Sequence, residues 1–420
     1  MAHARSLPLV IVFSVLRCAG PAYAAAGASP APFRVEPIPG HAELDTIEIH
    51  GVGAGSFSPA IWQAGTLHFQ PDVRCPLLAP RVSGVFRNIY APSAVRVPDG
   101  WRVFYGAWDG VATGNDRIYS TFTRDFLDFG ERRTEIEHGD FIHVCNVNAI
   151  RLDDGGFRMI CTAYPDADGL NKPAFFTSLD GTRWNDTPAP YAARRSDLVR
   201  VEGYAPYAAA DINGVNVILH ENGRYRLYFN NWKDPGKVYR ASGEDGRHYR
   251  FEGVSLPSSH AVNDVRRFAS GGTPWYLMGL HMNTNRLWYA LSRDGMRFEP
   301  ERELAAQLGA QDRYIVALGW VTDNGRLLGF LYGAGAVPEL NRNRIFARWL
   351  QKRVVLVNDQ GARMEPAGAL GPDRQVIHLR GAKPFDARWE VFAEDGRTPL
   401  GQPTRLKVAA GGVYRIALPE

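Results

Sequence analysis

Lysine, cysteine and long apolar runs are all scarce in this chain of 420 residues, and each shortage excludes something. Six lysines stand against 42 arginines, and the 48 basic residues are scattered among 44 acidic ones to leave a net charge of +4. So even a mixture does not make the basic stripe of a nucleic-acid groove, and no nucleic-acid partner is expected. Past the N-terminus no segment is apolar enough to cross a membrane, so no membrane insertion is expected. The opening stretch "MAHARSLPLVIVFSVLRCAGPAYA" has a basic start and an apolar run from Leu7 to Leu16, about half the roughly 20 residues that a bilayer span needs. Ala22-Tyr23-Ala24 supplies a small-x-small cleavage site. Residues 1–24 therefore read as a secretory signal, which makes the mature protein secreted or periplasmic.

Beyond that signal only Cys75, Cys145 and Cys161 remain. They lack the paired spacing of a zinc site. Cys145 and Cys161 flank the turn at 153–156, and because bonds across adjacent strands are geometrically awkward, two buried thiols are expected, with a disulfide as the alternative.

What the chain does have is an ordinary globular composition, 45% hydrophobic and 22% charged, and a hairpin that recurs. "YAPSAVRVPDGWRVFYGAWDG" reads as two alternating strands around a Pro-Asp-Gly turn. Four more hairpins follow: "NAIRLDDGGFRMICTAYPD", "NVILHENGRYRLYFNNWKD", "DVRRFASGGTPWYLMGLHMN" and "GWVTDNGRLLGFLYGAG". A third strand comes after each, and three of these close on an Asp-Gly-x-x-aromatic turn at Asp180, Asp245 and Asp294. In such a turn the Asp accepts backbone hydrogen bonds, the Gly takes positive φ and the aromatic packs between neighbours, so these three aspartates are assigned to structure. Counted from Ser93, the equivalent positions are Asn148, Asn216, Asp264 and Leu318, a period of roughly 50 to 70 residues that suits four-stranded propeller blades. The expected fold is all-β: a five-bladed β-propeller over 45–352, after a lead-in at 25–44, with a small C-terminal β module over 353–420. "DTIEIHGV" is the candidate strand for closing the ring against the last blade.

In a propeller the inner strands line a central funnel, and the loops leaving them meet at one face. Just before the inner strands the aligned positions hold Asn88, His143, Asp211, His260 and Arg313, and slightly deeper come Asn146, Asn148, Asn216 and Asp264. Burying each of these polar groups without a partner costs about 1–3 kcal/mol, so ligand, ion or water must satisfy them. At the ends of the second strands stand Trp108, Tyr164, Trp232 and His281, beside polar Asp109. Sugars need that pairing, because their C–H faces stack on rings while their hydroxyls bond to amides and carboxylates. All of these are candidate carbohydrate-binding residues, with blade packing as the bland alternative for the aromatics.

With its five hairpins, the first inner strand "YAPSAV" and the repeated Ser-x-Asp-Gly-x-x-aromatic turns, the chain resembles the secreted five-bladed propeller glycosidases, the superfamily of glycoside hydrolase family 43 and the invertase-like enzymes. The resemblance implies an acidic base in the first inner strand, usually in an Asp-Pro pair, a second acid on a middle blade and a Glu on a later one. Here Ala91-Pro92 stands where Asp-Pro is expected. The catalytic candidates are then Asp264 and Asp211 at inner-strand positions and Glu202 in the blade-three lead-in, since glycoside cleavage needs two carboxyl groups. No cofactor is required; His143, Asp211 and Asn146 form an alternative set for a funnel cation such as calcium, with water between imidazole and ion. Two functions follow. The leading one is a secreted, monomeric glycoside hydrolase acting on an oligo- or polysaccharide, furanosides included. The other is a non-catalytic glycan-binding propeller that has lost its first-blade acid.

Overall fold

The computed structural model describes residues 33–39, 45–53, 55, 57–80, 88–108, 115–164, 170–204, 211–338, 342–379 and 383–418. The signal-like segment, Asp109 and much of the lead-in lie outside these residues.

Each recurring hairpin folds into an antiparallel sheet, and there are five. The inner strands are Ile89–Val97, His143–Arg151, Ile212–Glu221, Ala261–Ser270 and Tyr314–Asp323, each paired with the strand that follows it. These strands are buried over most of their length, and Val, Ile and Leu alternate along them with polar residues such as Asn148, Asn216 and Asp264. Five apolar clusters fill the spaces between successive sheets. Phe104 with Met159 and Trp184 joins blades one and two, Phe175 with Leu227 blades two and three, Tyr228 with Met278 blades three and four, Leu277 with Trp320 blades four and five, and Trp349 with Val103 blades five and one. The last of these closes the ring.

Closure uses both ends of the propeller segment. Phe69–Pro71 pairs antiparallel with Arg344–Leu350 as the outermost strand of blade five, so the sheet edge is covered by chain that precedes blade one. The strand expected to do this, Thr46–His50, lies elsewhere: it pairs with Arg374–His378 and Val413–Ala417 in the C-terminal module. Its alternating Ile47 and Ile49 face a separate core with Val354, Leu356, Trp389 and Tyr414, and that core needs a second layer more than the propeller needs a second latch. The module is thus a sandwich of a five-stranded and a four-stranded sheet that includes the N-terminal strands Arg34–Ile38 and Thr46–His50.

Blade two has three strands, and residues 179–204 run along its outer edge as a strap. Tyr191–Ala192 adds to blade one and Arg200–Glu202 to blade three, both in parallel. The three Asp-Gly turns behave as their sequence implies. Asp294 Oδ1 accepts the N–H groups of Met296 (2.7 Å) and Arg297 (3.0 Å), Gly295 has φ 65°, and Phe298 is buried. Asp294→Ala is expected to cost about 1 kcal/mol in urea unfolding, the net value of such bonds at an exposed turn, and leave the funnel unaffected.

Cys145 and Cys161 are free thiols, both buried. Cys145 pairs across the sheet with Thr162, so Cys161, one residue on, projects from the opposite face and the two sulfurs cannot meet. Among the described residues no helix is long and apolar enough to cross a membrane.

Candidate functional site

All five inner strands carry a β-bulge near their start, between Tyr90 and Ser93, Cys145 and Asn148, Asn213 and Val217, Val262 and Asp264, and Ile315 and Ala317. A bulge turns the strand and re-aims side chains. Ala91 (φ 48°), Asn146 (φ 55°) and Gly214 (φ 83°) take left-handed backbone there, which lets amides and rings converge on the funnel mouth.

The mouth holds a cavity of about 360 Å³ lined by Asn88, Tyr90, Trp108, Asp116, His143, Asn146, Tyr164, Asn213, Gly214, Trp232, His281, Asn283 and Val316. Seven of the sequence-predicted residues therefore meet in one place: Asn88, Trp108, His143, Asn146, Tyr164, Trp232 and His281. The Trp108 ring lies 6.4 Å from that of His143 at 22°, Tyr164 stands edge-on to the same imidazole at 5.5 Å, and Trp232 is 40% exposed at the rim.

The other predicted residues lie elsewhere. Asn148, Asn216 and Asp264 sit below the cavity in a polar belt between blades. Asn148 Nδ2 donates across the ring to Asp264 Oδ1 (3.1 Å), Asn148 Oδ1 accepts the Ile218 N–H (3.1 Å), and Asp264 Oδ2 accepts the Trp320 N–H (2.9 Å) and Arg266 Nε (3.1 Å). Asn216 Nδ2 donates to Thr162 Oγ1 (3.0 Å). Asp211 is at the rim, where its carboxylate accepts the Asn171 N–H (3.0 Å) and its carbonyl the Trp232 N–H (3.1 Å). Glu202 is exposed on the outer edge of blade three, beside Arg250, because the strap carries it there. The three acids proposed from sequence are thus not brought together. His260 turns away from the cavity to pair with Glu301 (2.7 Å) and stack on Trp288 (3.7 Å), and Arg313 is exposed over the Tyr314 ring.

One carboxyl among the described residues does line the cavity, and it is Asp116, which inner-strand reasoning passes over. Asp116 immediately precedes the third strand of blade one, Arg117–Thr123. In an antiparallel meander the third strand starts at the same end as the first, so acids before third strands deserve the same search as those before inner strands. Tyr90 Oη donates to Asp116 Oδ2 (2.9 Å), while Oδ1 is buried with no partner among the described residues. Burial pushes this carboxyl up to about 7, against the opposing pull of the Tyr90 hydrogen bond and Arg117. At that value about half of the carboxyl carries its proton at pH 7.

His143 completes the arrangement. Its Nδ1 accepts the backbone N–H of Asp116 (3.0 Å), so in the neutral ring Nε2 carries the hydrogen. Burial and then nearby His138 lower its pKa, which keeps the ring neutral. His281 is lowered by burial to about 4, and its Nδ1 accepts from Asn263 Nδ2 (2.8 Å). Both imidazoles are therefore uncharged hydrogen-bond donors. The cation set suggested by sequence does not assemble: His143 and Asn146 line the cavity without Asp211, and among the described residues no three His, Cys, Asp or Glu side chains cluster as a metal site.

No family model matches the chain, and no curated protein sequence does. Solved structures do. A complex of BT0996 with RGII superposes with a TM-score of 0.50 at 11% identity, over 70% of the present protein and 96% of the other. The catalytic domain of the Coprinopsis cinerea GH62 α-L-arabinofuranosidase gives 0.49 at 14% identity, over 68% and 98%. The Podospora anserina α-L-arabinofuranosidase PaAbf62A, in complex with cellotriose, gives 0.48 at 11%, over 68% and 97%. At 11% identity the likeness to the BT0996 structure is one of architecture alone, in keeping with the ring of five sheets described above.

Proposed function

We propose that this protein is a secreted or periplasmic, monomeric glycoside hydrolase whose proton donor is Asp116. The observation that carries the reading is a carboxyl that burial raises to about 7, on a residue lining a cavity walled by aromatic rings and amides. A sugar ring stacked on Trp108 or Trp232 would present its glycosidic oxygen to the protonated Asp116 carboxyl, which donates as the C–O bond lengthens. His143 Nε2–H and the amides of Asn88 and Asn146 orient hydroxyls. Hydrolysis requires a second carboxyl to activate water or attack the sugar, and that role falls to Asp211 at the rim.

A second reading keeps the binding and drops the chemistry. Ala91 stands where the first-blade acid is expected, and Asp211 does not itself line the cavity, so a glycan-binding propeller would need no other change. Glycan-array screening followed by reducing-sugar assays on every hit separates the two: turnover supports the hydrolase, and binding without turnover overturns it. Trp232→Ala is expected to weaken glycan binding about tenfold, the loss of roughly 1–1.5 kcal/mol of stacking, without lowering the melting temperature. A variant that melts early with affinity unchanged would show Trp232 to be a packing residue.

A further inference from the structure

We infer that Tyr90 is the group that touches the glycosidic oxygen and relays to it the proton held by Asp116, an inference that rests on the hydrolase reading above. The two oxygens of Asp116 are not equivalent. Oδ1 is buried with no partner among the described residues, so the carboxyl can reach the cavity only through Oδ2. Oδ2 in turn is bonded to Tyr90 Oη at 2.9 Å. A proton on Oδ1 would have no acceptor, whereas a proton on Oδ2 has one in Tyr90 Oη, so the protonated carboxyl donates to the phenol and frees the hydroxyl hydrogen to turn outward. Tyr90 lines the same cavity, one residue before Ala91, where the first-blade acid is expected. The phenol thus stands beside the place from which that acid is missing.

In strand register Tyr90 faces Gly106, and a Cβ there would lie 3.5 Å from the ring carbon that bears the hydroxyl, so the ring lies against backbone with no side chain to displace it. Burial pushes the Tyr90 phenol well above its ordinary value, which keeps its hydrogen in place between turnovers. The Cys145 thiol and the Tyr164 hydroxyl beside it are raised in the same way, and of these groups Asp116 is the one that releases a proton near neutrality. In the step itself Asp116 Oδ2 gives its proton to Tyr90 Oη as Tyr90 gives its own to the glycosidic oxygen. Two O–H bonds break and two form, the electron pair of the C–O bond leaves with the alcohol, and Asp116 ends as a carboxylate accepting the Tyr90 hydroxyl, the arrangement present in the structure. Solvent restores the Asp116 proton after water has added to the sugar. Tyr90 is never ionised, so the high value of its phenol does not impede the transfer.

The test compares wild type with Tyr90→Phe, which keeps the ring and removes only the hydroxyl, on phenyl and 2,4-dinitrophenyl glycosides of arabinofuranose, xylose, galactose and mannose. A phenyl glycoside needs its leaving oxygen protonated, and a dinitrophenolate does not. The expected result is a fall in kcat of at least about 100-fold on the phenyl glycoside that wild type cleaves, with KM unchanged, and a loss within a few-fold on its dinitrophenyl counterpart. Phenyl-glycoside turnover within a few-fold of wild type overturns the inference and leaves Asp116 to donate directly. Equal losses on both glycosides overturn it as well, since a purely structural hydroxyl moves the two together. Asp116→Asn, run beside it, should show the same split, and phenyl-glycoside turnover retained in that variant removes the source of the proton and overturns both readings. A wild type that cleaves no phenyl glycoside supplies no acid, which overturns the hydrolase reading with Asp116 as donor, and the inference falls with it.

Discussion

Asp116→Asn is expected to lower glycan turnover by at least about 100-fold, the typical worth of positioned acid–base help, while glycan affinity and the fold stay as they are. The amide is nearly isosteric, and its oxygen can still accept the Tyr90 hydroxyl that Oδ2 accepts now. What it loses is the transferable proton. The wild-type pH profile should carry the same signature: donation requires the protonated carboxyl, so turnover should decline as pH rises through about 7, the value to which burial pushes this group.

Stability gives an independent readout of the same proton. The folded-state value lies above the ordinary 3.8, so between about pH 4 and 7 the native state retains a proton that the unfolded chain has released. Wild-type stability should therefore fall across that window, by at most about 4 kcal/mol were the whole displacement realised. In Asp116→Asn this contribution to the slope vanishes, and the variant should be more stable than wild type above pH 7. Urea unfolding from pH 4 to 8, run beside the assay, checks both. Turnover within a few-fold of wild type would remove Asp116 from the chemistry, and an unchanged slope would show its carboxyl to be ionised already.

Gly319→Ala is expected to be among the most damaging small substitutions in the propeller. Gly319 faces the blade-one bulge at the point where the ring closes, and a Cβ there would lie 2.0 Å from the Pro92 carbonyl oxygen and 2.9 Å from its carbon. Both are backbone atoms of an inner strand, so neither can rotate away, and blades five and one would have to part. Overpacking against side chains typically costs 1–3 kcal/mol. Against immovable backbone the loss should exceed about 3 kcal/mol, among the largest single-site effects. Gly309→Ala is the control, since nothing lies within 4 Å of its added methyl and its backbone is not left-handed. Equal midpoints for the two variants in guanidinium unfolding would contradict the account.

The repeat itself was legible because a hairpin is a local object. The Asp180, Asp245 and Asp294 turns, and the alternating strands before them, depend on residues a few positions apart, and each behaves as its local sequence implies. The mouth aromatics Trp108, Tyr164 and Trp232 were legible for the same reason: the end of a second strand lies at the mouth wherever the hairpin does. Asp116 was not, because it precedes a third strand after a loop of unrepeated length. Asn213 was missed because the blade-three bulge adds two residues where the blade-two bulge adds one, which shifts the alignment onto Asn216.

By itself, then, the sequence determined the number of blades, the turns that cap them and the ring of aromatics, all consequences of short-range periodicity and turn chemistry. Only the tertiary structure decided which carboxyl faces the funnel and which strand closes it. Asp264 and Asp116 are both acids close to strand starts, yet one is bound on both oxygens by neighbouring blades and the other is buried with an oxygen left over. That difference arises from groups more than 50 residues away in the case of Asp264, and the protonation state of Asp116 arises from burial, which no local pattern encodes. The ring is closed by Phe69–Pro71 and not by the equally strand-like Thr46–His50 for a comparable reason: the two compete for a sheet edge and a sandwich core, and the winner is set by which apolar face each partner leaves open.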